Sequence, residues 1–394
     1  MNPTAAPTPA ARLDSVDLVR GIIMVLMALD HVRDYFHFSA LHGFDPLDLQ
    51  KTSVAIFFTR WITHYCAPIF CFLAGTGAFL SVSRGKSKRE LSWFLFSRGL
   101  WLIFLELTLV DWFGWSWVIQ IHDFNLLVLW SLGCSMIVLS ALIHLPVAAV
   151  ATFGLTLILF HNATDGIKAE SWGSFGWLWH VLHVPGNLKP APGYGVFVLY
   201  PLIPWVGVMA AGYGFGAFLV REPATRTRRL FILGASLTVA FVLLRFSNLY
   251  GNPRPWTEQS RPMFTLLSFL DCAKYPPSLC YLLMTLGPAI LLLAIFDRGV
   301  PALLKPFLVF GRVPMFYYLL HIPLLHLIAF ISLTIQVGRA DFFFGNAGAP
   351  PPNAGFSLIT TYLAWLLVVV ILYPLCRWFA DLKKRRRDTW LSYF

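Results

Sequence analysis

Ionisable side chains stand at both ends of the first long hydrophobic segment, Val16–Phe38. An aspartate and an arginine lie near its start, and the run DHVRD occupies residues 30–34 near its end. At helical spacing, one stripe contains Asp17, Arg20, Met24, Met27, His31 and Asp34. A histidine titrates near neutral pH and can take a proton from an attacking hydroxyl or amine, and a neighbouring carboxylate makes it a better base. His31 is therefore the first candidate for catalysis, with Asp34 or Asp30 to orient its ring.

The same run also suits a structural role, as a polar knot that joins neighbouring helices. A charged side chain inside a membrane span is costly, and it usually marks a functional site. Three other ionisable groups accompany the histidine within residues 30–34. This density favours catalysis over a structural role for His31.

Other polar side chains lie in later hydrophobic segments, where they can meet the first. Arg60 and His64 are one helical turn apart in the second segment, at nearly the depth of His31. Lys274 and Tyr275 lie at the mouth of the eighth segment. All four are candidates for contact with a substrate.

The ninth segment contains His321 and His326. These histidines are five residues apart and so do not share a helix face, which argues against both ligating one metal. The third and seventh segments carry Arg98, Glu106 and Arg245. For these three, ion pairs between helices are at least as good an explanation as contact with a substrate.

The composition is that of an integral membrane protein. Of 394 residues, 57% are hydrophobic and 12% are charged, whereas a soluble domain is roughly 25% charged. The formal net charge of +11 comes from short basic clusters between apolar runs, so it does not indicate a partner nucleic acid. The sequence predicts an all-α, polytopic membrane helix bundle in contact with lipid. The ten predicted spans are Val16–Phe38, Ala55–Val82, Leu91–Trp112, Phe124–Ile143, Val147–Phe160, Val196–Val220, Leu230–Tyr250, Pro277–Phe296, Val313–Leu333 and Phe356–Ala380.

Basic clusters set the expected orientation. They are Arg84–Arg89, Arg221–Arg229, Arg298–Lys305 and Lys383–Arg387. With ten spans, all four share one side with the N-terminus, and the positive-inside rule places both termini in the cytoplasm. We interpret the clusters as topology anchors rather than as sites for anionic lipid or nucleotide phosphate. The expected organisation is a disordered N-terminal tail (1–11), one transmembrane domain (12–382) and a basic cytoplasmic tail (383–394).

The segment Ser171–His183 predicts an interfacial amphipathic helix with an aromatic belt. Its two histidines, His180 and His183, can ligate a metal, but an interfacial role is favoured and no metal is expected. Five of the six cysteines lie inside apolar segments, and no pair has metal-ligand spacing. They are interpreted as small apolar packing residues.

Five segments spread over most of the chain share one resemblance. They are RLDSVDLVRG with ALDHVRDYF (12–36), RWITHYCAPIFCFLAGTGAFL (60–80), YPLIPWVGVMAAGYGFG (200–216), FLDCAKYPPSLCYLLMTLGP (269–288) and GRVPMFYYLLHIPLLHL (311–327). They resemble a group of bacterial multi-pass membrane proteins similar to the catalytic domain of heparan-alpha-glucosaminide N-acetyltransferase. The resemblance implies transfer of an acetyl group from cytoplasmic acetyl-CoA to a sugar amine or hydroxyl beyond a bacterial plasma membrane, and it suggests a homodimer.

A more distant similarity singles out one histidine. The broad membrane acyltransferase family that O-acetylates surface glycans opens with Asp-x-x-Arg, and its candidate catalytic histidine follows the arginine by eleven residues. Asp17, Arg20 and His31 reproduce that spacing. The similarity therefore favours His31 over His64 and His321.

The chain also departs from the lysosomal enzyme that it resembles. In that enzyme the catalytic histidine lies in the loop after the first helix, and the first helix lacks an Asp-His pair. Here the loop contains His37 and His42, with Asp45 and Asp48 nearby. His42 is therefore the main rival to the histidine in the helix. The acceptor is open as well, because a bacterial relative need not act on glucosamine.

The resemblance implies a division of roles. Arg20 and Arg98, with Asp17 beside them, meet the phosphates of acetyl-CoA, and the pantetheine arm reaches His31, the general base. His64 or Arg60 polarises the thioester carbonyl or holds the acceptor. Candidate contacts for the acceptor are Arg60, His42, Lys274, Tyr275 and His321. A two-step reaction through acetylated His31 agrees with the sequence equally well, and so does a longer acyl donor.

A carrier is the alternative from another class. Buried charges, Gly- and Pro-containing helices and a titratable histidine also suit a proton-coupled transporter or flippase of a small or lipid-linked substrate. The two halves of the sequence show no evident internal repeat, which weakly disfavours a carrier. A carrier moves its substrate unchanged, whereas an acyltransferase consumes acetyl-CoA.

Overall fold

The computed structural model describes residues 13–119, 121–344, 348–386 and 388–394. The predicted disordered tail (1–11) lies outside the described residues, as do Arg12 and Arg387. The α-helices of the described chain are α1 (Asp14–Phe36), α2 (Phe38–Leu41), α3 (Val54–Thr63), α4 (Cys66–Ser83), α5 (Lys88–Leu105), α6 (Val128–Leu142), α7 (Val147–Phe160), α8 (Gly176–Leu182), α9 (Leu202–Leu219), α10 (Pro223–Ser247), α11 (Pro262–Leu270), α12 (Leu279–Ile295), α13 (Lys305–Arg312), α14 (Pro314–Val337) and α15 (Leu358–Arg385). Strands β1 (Asp123–Leu126), β2 (Gly186–Leu188) and β3 (Gly195–Val198) form a small sheet.

The predicted all-α membrane bundle is confirmed. Among the described residues, seven helical stretches are long and apolar enough to cross a membrane: Val54–Ser83, Lys88–Trp115, Val147–Thr164, Leu202–Leu219, Pro223–Ser247, Pro314–Val337 and Leu358–Arg385. The shorter apolar helices α6 and α12 and the charged helix α1 correspond to the other three predicted spans. The number of crossings and the cytoplasmic position of both termini stay predictions.

Several predicted boundaries were wrong. The predicted spans Phe124–Ile143 and Val196–Val220 begin in strands rather than helices, with β1 and β3 pairing in parallel and β2 antiparallel to β3. The run Val-Phe-Val in β3 is β-branched and aromatic, which favours a strand. The predicted interfacial helix at Ser171–His183 is a 3₁₀ turn (Ala169–Phe175) followed by α8. Gly173 interrupts it with a φ of 54°, a conformation that favours glycine.

Helix α1 lies in the middle of the bundle. It packs against α3, α4, α12, α13, α14 and α15, and most of its side chains are buried. A Cβ atom on Gly21 would overlap the Phe307 carbonyl of α13, and one on Gly311 would overlap the Asp17 carbonyl. The two glycines therefore permit close contact between α1 and α13. Protein therefore surrounds Asp17, Asp30 and Arg33 of α1, whose side chains are at most 13% exposed.

Two buried charged groups serve the fold through backbone contacts instead of the expected ion pairs. Glu106 opens a π-helical stretch after α5, and its carboxylate accepts hydrogen bonds from the Leu129 and Trp130 amides at 2.6 and 3.2 Å. These amides lie in the first turn of α6, where a carboxylate is stabilising. Arg245 donates to four backbone carbonyls, those of Arg254, Ser268, Phe269 and Asp271.

Candidate active site

An elongated cavity of about 340 Å³ follows α1. At one end it is lined by the cations Arg20, Arg98, Arg312 and Lys383. At the other it is lined by Asp30, His31, Tyr200 and Lys274. Apolar side chains, among them Met24, Met27, Phe70 and Leu73, line the part between. His31 follows Arg20 by eleven positions on α1, a rise of about 16 Å, so the cavity joins a basic end to a histidine three turns away.

The ring of His31 is hydrogen-bonded to the ring of His321 on α14. The distance from His31 Nδ1 to His321 Nε2 is 2.8 Å, and the two ring planes are 18° apart, with centroids 5.0 Å from each other. The other nitrogen of His321, Nδ1, lies 2.7 Å from the Tyr318 carbonyl and 3.2 Å from the Tyr317 carbonyl. A carbonyl only accepts, so His321 Nδ1 carries a proton and, in the neutral ring, Nε2 does not.

These contacts assign the tautomer of His31. Because His321 Nε2 accepts, His31 Nδ1 must donate, and in the neutral ring His31 Nε2 then has its lone pair available. Among the described residues, none hydrogen-bonds to His31 Nε2. The His31 ring lines the cavity, and the Trp115 ring packs edge-on against it with the two ring centroids 5.0 Å apart. His31 is thus oriented to accept a proton at the cavity.

The two carboxylates that were expected to orient His31 have other partners. Asp34 accepts a hydrogen bond of 2.6 Å from Arg33, and its side chain is 41% exposed. Asp30 accepts from Arg60 at 2.6 and 2.8 Å and lies 3.2 Å from Arg33. The expectation that Asp34 or Asp30 contacts His31 was therefore wrong, because guanidinium groups bind both carboxylates. His321, expected at the acceptor, is the ring partner instead.

A polar cluster forms the His31 end of the cavity. Lys274 is buried, with its ammonium 4.0 Å from the Asp30 carboxylate and 5.2 Å from the ring centroid of Tyr275. The hydroxyls of Tyr275 and Tyr200 are 3.4 Å apart. Burial raises the pKa of Tyr275, but the cations Lys274 and Arg60 outweigh burial, so the pKa lies below its ordinary value. The structure thus brings Arg60, Lys274 and Tyr275 together near His31.

Two of the predicted histidines lie outside this cavity. His64 is fully buried beside Tyr281, and neither of its ring nitrogens has a hydrogen-bond partner among the described residues. The His42 ring contacts the Phe38 carbonyl at 2.8 Å and the Pro351 carbonyl at 3.2 Å. Neither histidine is among the described residues that line the cavity.

The basic end brings together the two predicted arginines, Arg20 and Arg98, with Arg312 and Lys383, which were not predicted to line a site. Arg20 donates to the Gly311 carbonyl at 3.3 Å and lies 3.4 Å from Asp17, while Arg98 donates to the Ser392 carbonyl. Asp17 also pairs with Arg312, at 3.8 Å. Arg312 follows the glycine of the segment 311–327, and Lys383 opens a basic cluster interpreted as a topology anchor. Such clusters were the available signal for this end of the cavity.

Comparison with known proteins identifies the family. A family model described as heparan-alpha-glucosaminide N-acetyltransferase, catalytic, matches residues 12–245, more than half of the chain. The chain belongs to this family. It is therefore a multi-pass membrane protein of an acetyltransferase family, as its sequence predicted. A search of curated proteins finds no match.

The family match covers one side of the histidine pair. It includes His31, Arg60 and Arg98, and it ends at Arg245. His321 lies beyond the match. The partner of His31 comes from the later part of the chain, through the packing of α14 on α1.

Proposed function

We propose that the protein transfers the acetyl group of acetyl-CoA to an amine or hydroxyl of a sugar, in a glycan or glycoconjugate, across a bacterial plasma membrane. The observation that carries the proposal is the cavity with a basic end and a hydrogen-bonded histidine pair at the other end. On this proposal, residues 12–382 form one acyltransferase-like domain, Lys383 of the predicted basic tail adds a cation to its cavity, and the donor enters from the cytoplasmic side.

The cavity suits the shape and charge of acetyl-CoA. Four cations (Arg20, Arg98, Arg312 and Lys383) line one end, where the phosphates would bind. The apolar middle suits the long pantetheine arm, which carries no charge. A thioester at the end of that arm would then lie beside His31, three helical turns from the phosphates.

The proposed reaction needs one base. The acceptor's nitrogen or oxygen attacks the thioester carbonyl carbon, and its proton passes to His31 Nε2. Lys274, which lines the same end of the cavity, stabilises the negative charge on the carbonyl oxygen. Collapse of this intermediate breaks the carbon–sulfur bond, and the CoA thiolate takes the proton from His31. The products are CoA and an acetylated sugar.

A two-step reaction uses the same geometry. His31 Nε2 would attack the thioester itself, form an acetyl-histidine and release CoA, and the acceptor would then take the acetyl group. The lone pair at Nε2 serves either route. Release of CoA in a burst before the acceptor is added would favour the two-step route.

The polar cluster at the His31 end supplies contacts for the acceptor. Asp30, Lys274 and Tyr200 line it, and Arg60 and Tyr275 lie directly behind them. Carboxylate, ammonium and phenol groups together can donate to and accept from several sugar hydroxyls. These groups support a sugar acceptor over an apolar one.

The proposal can be tested in proteoliposomes with labelled acetyl-CoA on one side. An acetyltransferase consumes acetyl-CoA, releases CoA in equal amount and leaves the label on a glycoconjugate that mass spectrometry can identify. A proton-coupled transporter or flippase would move its substrate without consuming acetyl-CoA. Flux without release of CoA would therefore reject the proposal in favour of the carrier.

A further inference from the structure

A second group of ligating side chains lies apart from the cavity, at the far end of α7. His161 and Asp165 follow α7, and His183 follows α8. Each residue offers a ligand atom, and these three atoms all lie within 4.8 Å of one another. The distance from His183 Nε2 to Asp165 Oδ1 is 3.1 Å. His161, Asp165 and His183 are not among the described residues that line the cavity along α1.

Each of the two imidazoles is buried, and each has at least one ring nitrogen without a hydrogen-bond partner among the described residues. His161 is 4% exposed, and neither of its ring nitrogens has a hydrogen-bond partner among the described residues. His183 is fully buried, and its Nδ1 likewise has none there. Buried polar atoms are almost always paired, and an unpaired one calls for a water, an ion or a functional explanation. His161 therefore brings an unpaired nitrogen to the group, while His183 reaches the Asp165 carboxylate through Nε2.

The ligand set suits zinc. Two neutral imidazoles and a carboxylate are common zinc ligands, at about 2.0–2.2 Å from the ion. Ligands of a tetrahedral ion at that distance are about 3.4 Å apart. The separation between His183 and Asp165 is already close to this value, and small side-chain rotations would bring His161 in. A water molecule would complete the tetrahedron.

A neighbouring amide orients the carboxylate. Asn162 Nδ2 donates to Asp165 Oδ2 at 2.8 Å, which leaves Oδ1 directed at His183. Such outer contacts fix the geometry of a ligand in metal sites. The side-chain oxygen Asn162 Oδ1 accepts from the Leu279 amide at 2.8 Å, at the start of α12. An ion here would therefore join the ends of α7 and α8 to α12.

We propose that His161, Asp165 and His183 bind one Zn²⁺ ion, which holds the segment between α7 and α9 against the helix bundle. Lys88 contacts the His144 and Leu145 carbonyls just before α7. Lys88 belongs to the basic cluster Arg84–Arg89, so the start of α7 lies beside that cluster. The zinc site lies at the other end of α7. The sequence paired His183 with His180, whereas the structure pairs it with His161 and Asp165.

The test uses detergent-solubilised full-length protein, stripped of metal and titrated with Zn²⁺ or Co²⁺. Metal analysis should give one Zn²⁺ per chain, with a rise in melting temperature on Zn²⁺ addition. Co²⁺ should give the visible absorption of a tetrahedral site. His161→Ala and His183→Ala should lose both signals. The matched control is His180→Ala, on the same short helix, where the ring contacts the Val184 carbonyl at 3.0 Å; it should keep one ion.

A variant that gains a new absorption band distinguishes the loss of a metal ligand from a failure to fold. His161→Cys should keep Co²⁺ and add a thiolate-to-cobalt charge-transfer band, because cysteine is itself a ligand. Asn162→Ser should weaken Zn²⁺ binding about 10–100-fold, as loss of an outer contact does. Three results would overturn the proposal: no stoichiometric metal in the wild type, equal binding by His161→Ala and the wild type, or no new band in His161→Cys.

Discussion

His31 Nδ1 and His321 Nε2 are 2.8 Å apart, although 290 residues separate them in the chain. His321 Nδ1 is in turn fixed by the Tyr318 carbonyl, so the chain of contacts leaves the His31 Nε2 lone pair available at the cavity. A second histidine thus takes the place that a carboxylate often has in orienting a catalytic imidazole. It orients the ring without adding a buried negative charge.

Replacement of His321 should slow the reaction without weakening the binding of acetyl-CoA. In His321→Ala, His31 loses the contact that fixes its tautomer, and we expect kcat to fall about 10²-fold, with the KM for acetyl-CoA changed little. Steady-state CoA release measures both values. His326→Ala is the matched control, since this residue of α14 contacts the Gly114 carbonyl instead. A rise in KM with kcat unchanged would show that His321 binds substrate rather than positions His31.

The basic end should bind phosphate groups. We expect Arg20→Gln to weaken acetyl-CoA binding about tenfold, because a charge-assisted contact is lost. Acetyl-pantetheine lacks the nucleotide phosphates, so its binding should not change in this variant. Isothermal titration measures both ligands, and the exposed Arg228, changed to Gln, is the control. Equal loss for the two ligands would contradict a role at the phosphates.

Asp30 should matter for stability far more than Asp34 does. Asp30→Asn leaves the guanidinium groups of Arg60 and Arg33 without their buried counter-charge, which we expect to cost about 3–5 kcal/mol. Asp34 is 41% exposed, so Asp34→Asn should cost no more than about 1 kcal/mol. Thermal denaturation in detergent compares the two variants. Similar melting temperatures would contradict the assignment of Asp30 as the central counter-ion.

The close contact between α1 and α13 should tolerate no larger residue. In Gly21→Ala the new Cβ meets the Phe307 carbonyl, and we expect a cost of about 1–3 kcal/mol and weaker acetyl-CoA binding. Gly77→Ala, in α4, is the control for the melting temperature, since nothing lies within 4 Å of its new Cβ. That change should stabilise its helix by about 0.5–1 kcal/mol. A wild-type melting temperature in Gly21→Ala would show that the helices can separate at little cost.

The sequence could predict what is local. Hydrophobic length predicted the helices, and the spacing of Asp17, Arg20 and His31 placed them along one helix that the structure confirms. The partner of His31 could not be predicted in this way, because it comes from α14 and depends on tertiary packing. Asp34 lies on the same helix one turn after His31, as its spacing predicted. Its carboxylate, however, accepts a hydrogen bond from the adjacent Arg33 instead of orienting the imidazole.

Longer-range pairing also explains what the sequence missed at the two ends of the bundle. Arg312 and Lys383 line the basic end because α13 and α15 pack beside α1. His161 meets His183 only because α7 and α8 end at the same place. In each case residues far apart in the chain form one site, and no local pattern records the distance between them.

His31 is the residue that we propose performs the chemistry. The most direct test compares release of CoA from acetyl-CoA by purified wild type, His31→Ala and His42→Ala, with acetyl-CoA binding measured alongside. Slow hydrolysis of acetyl-CoA uses water in place of the acceptor, so the assay can be run without knowing what the acceptor is. We predict that His31→Ala binds acetyl-CoA but releases CoA at least about 10²-fold more slowly, while His42→Ala matches the wild type. Release that survives in His31→Ala and vanishes in His42→Ala would show that His42, and not His31, is the catalytic histidine.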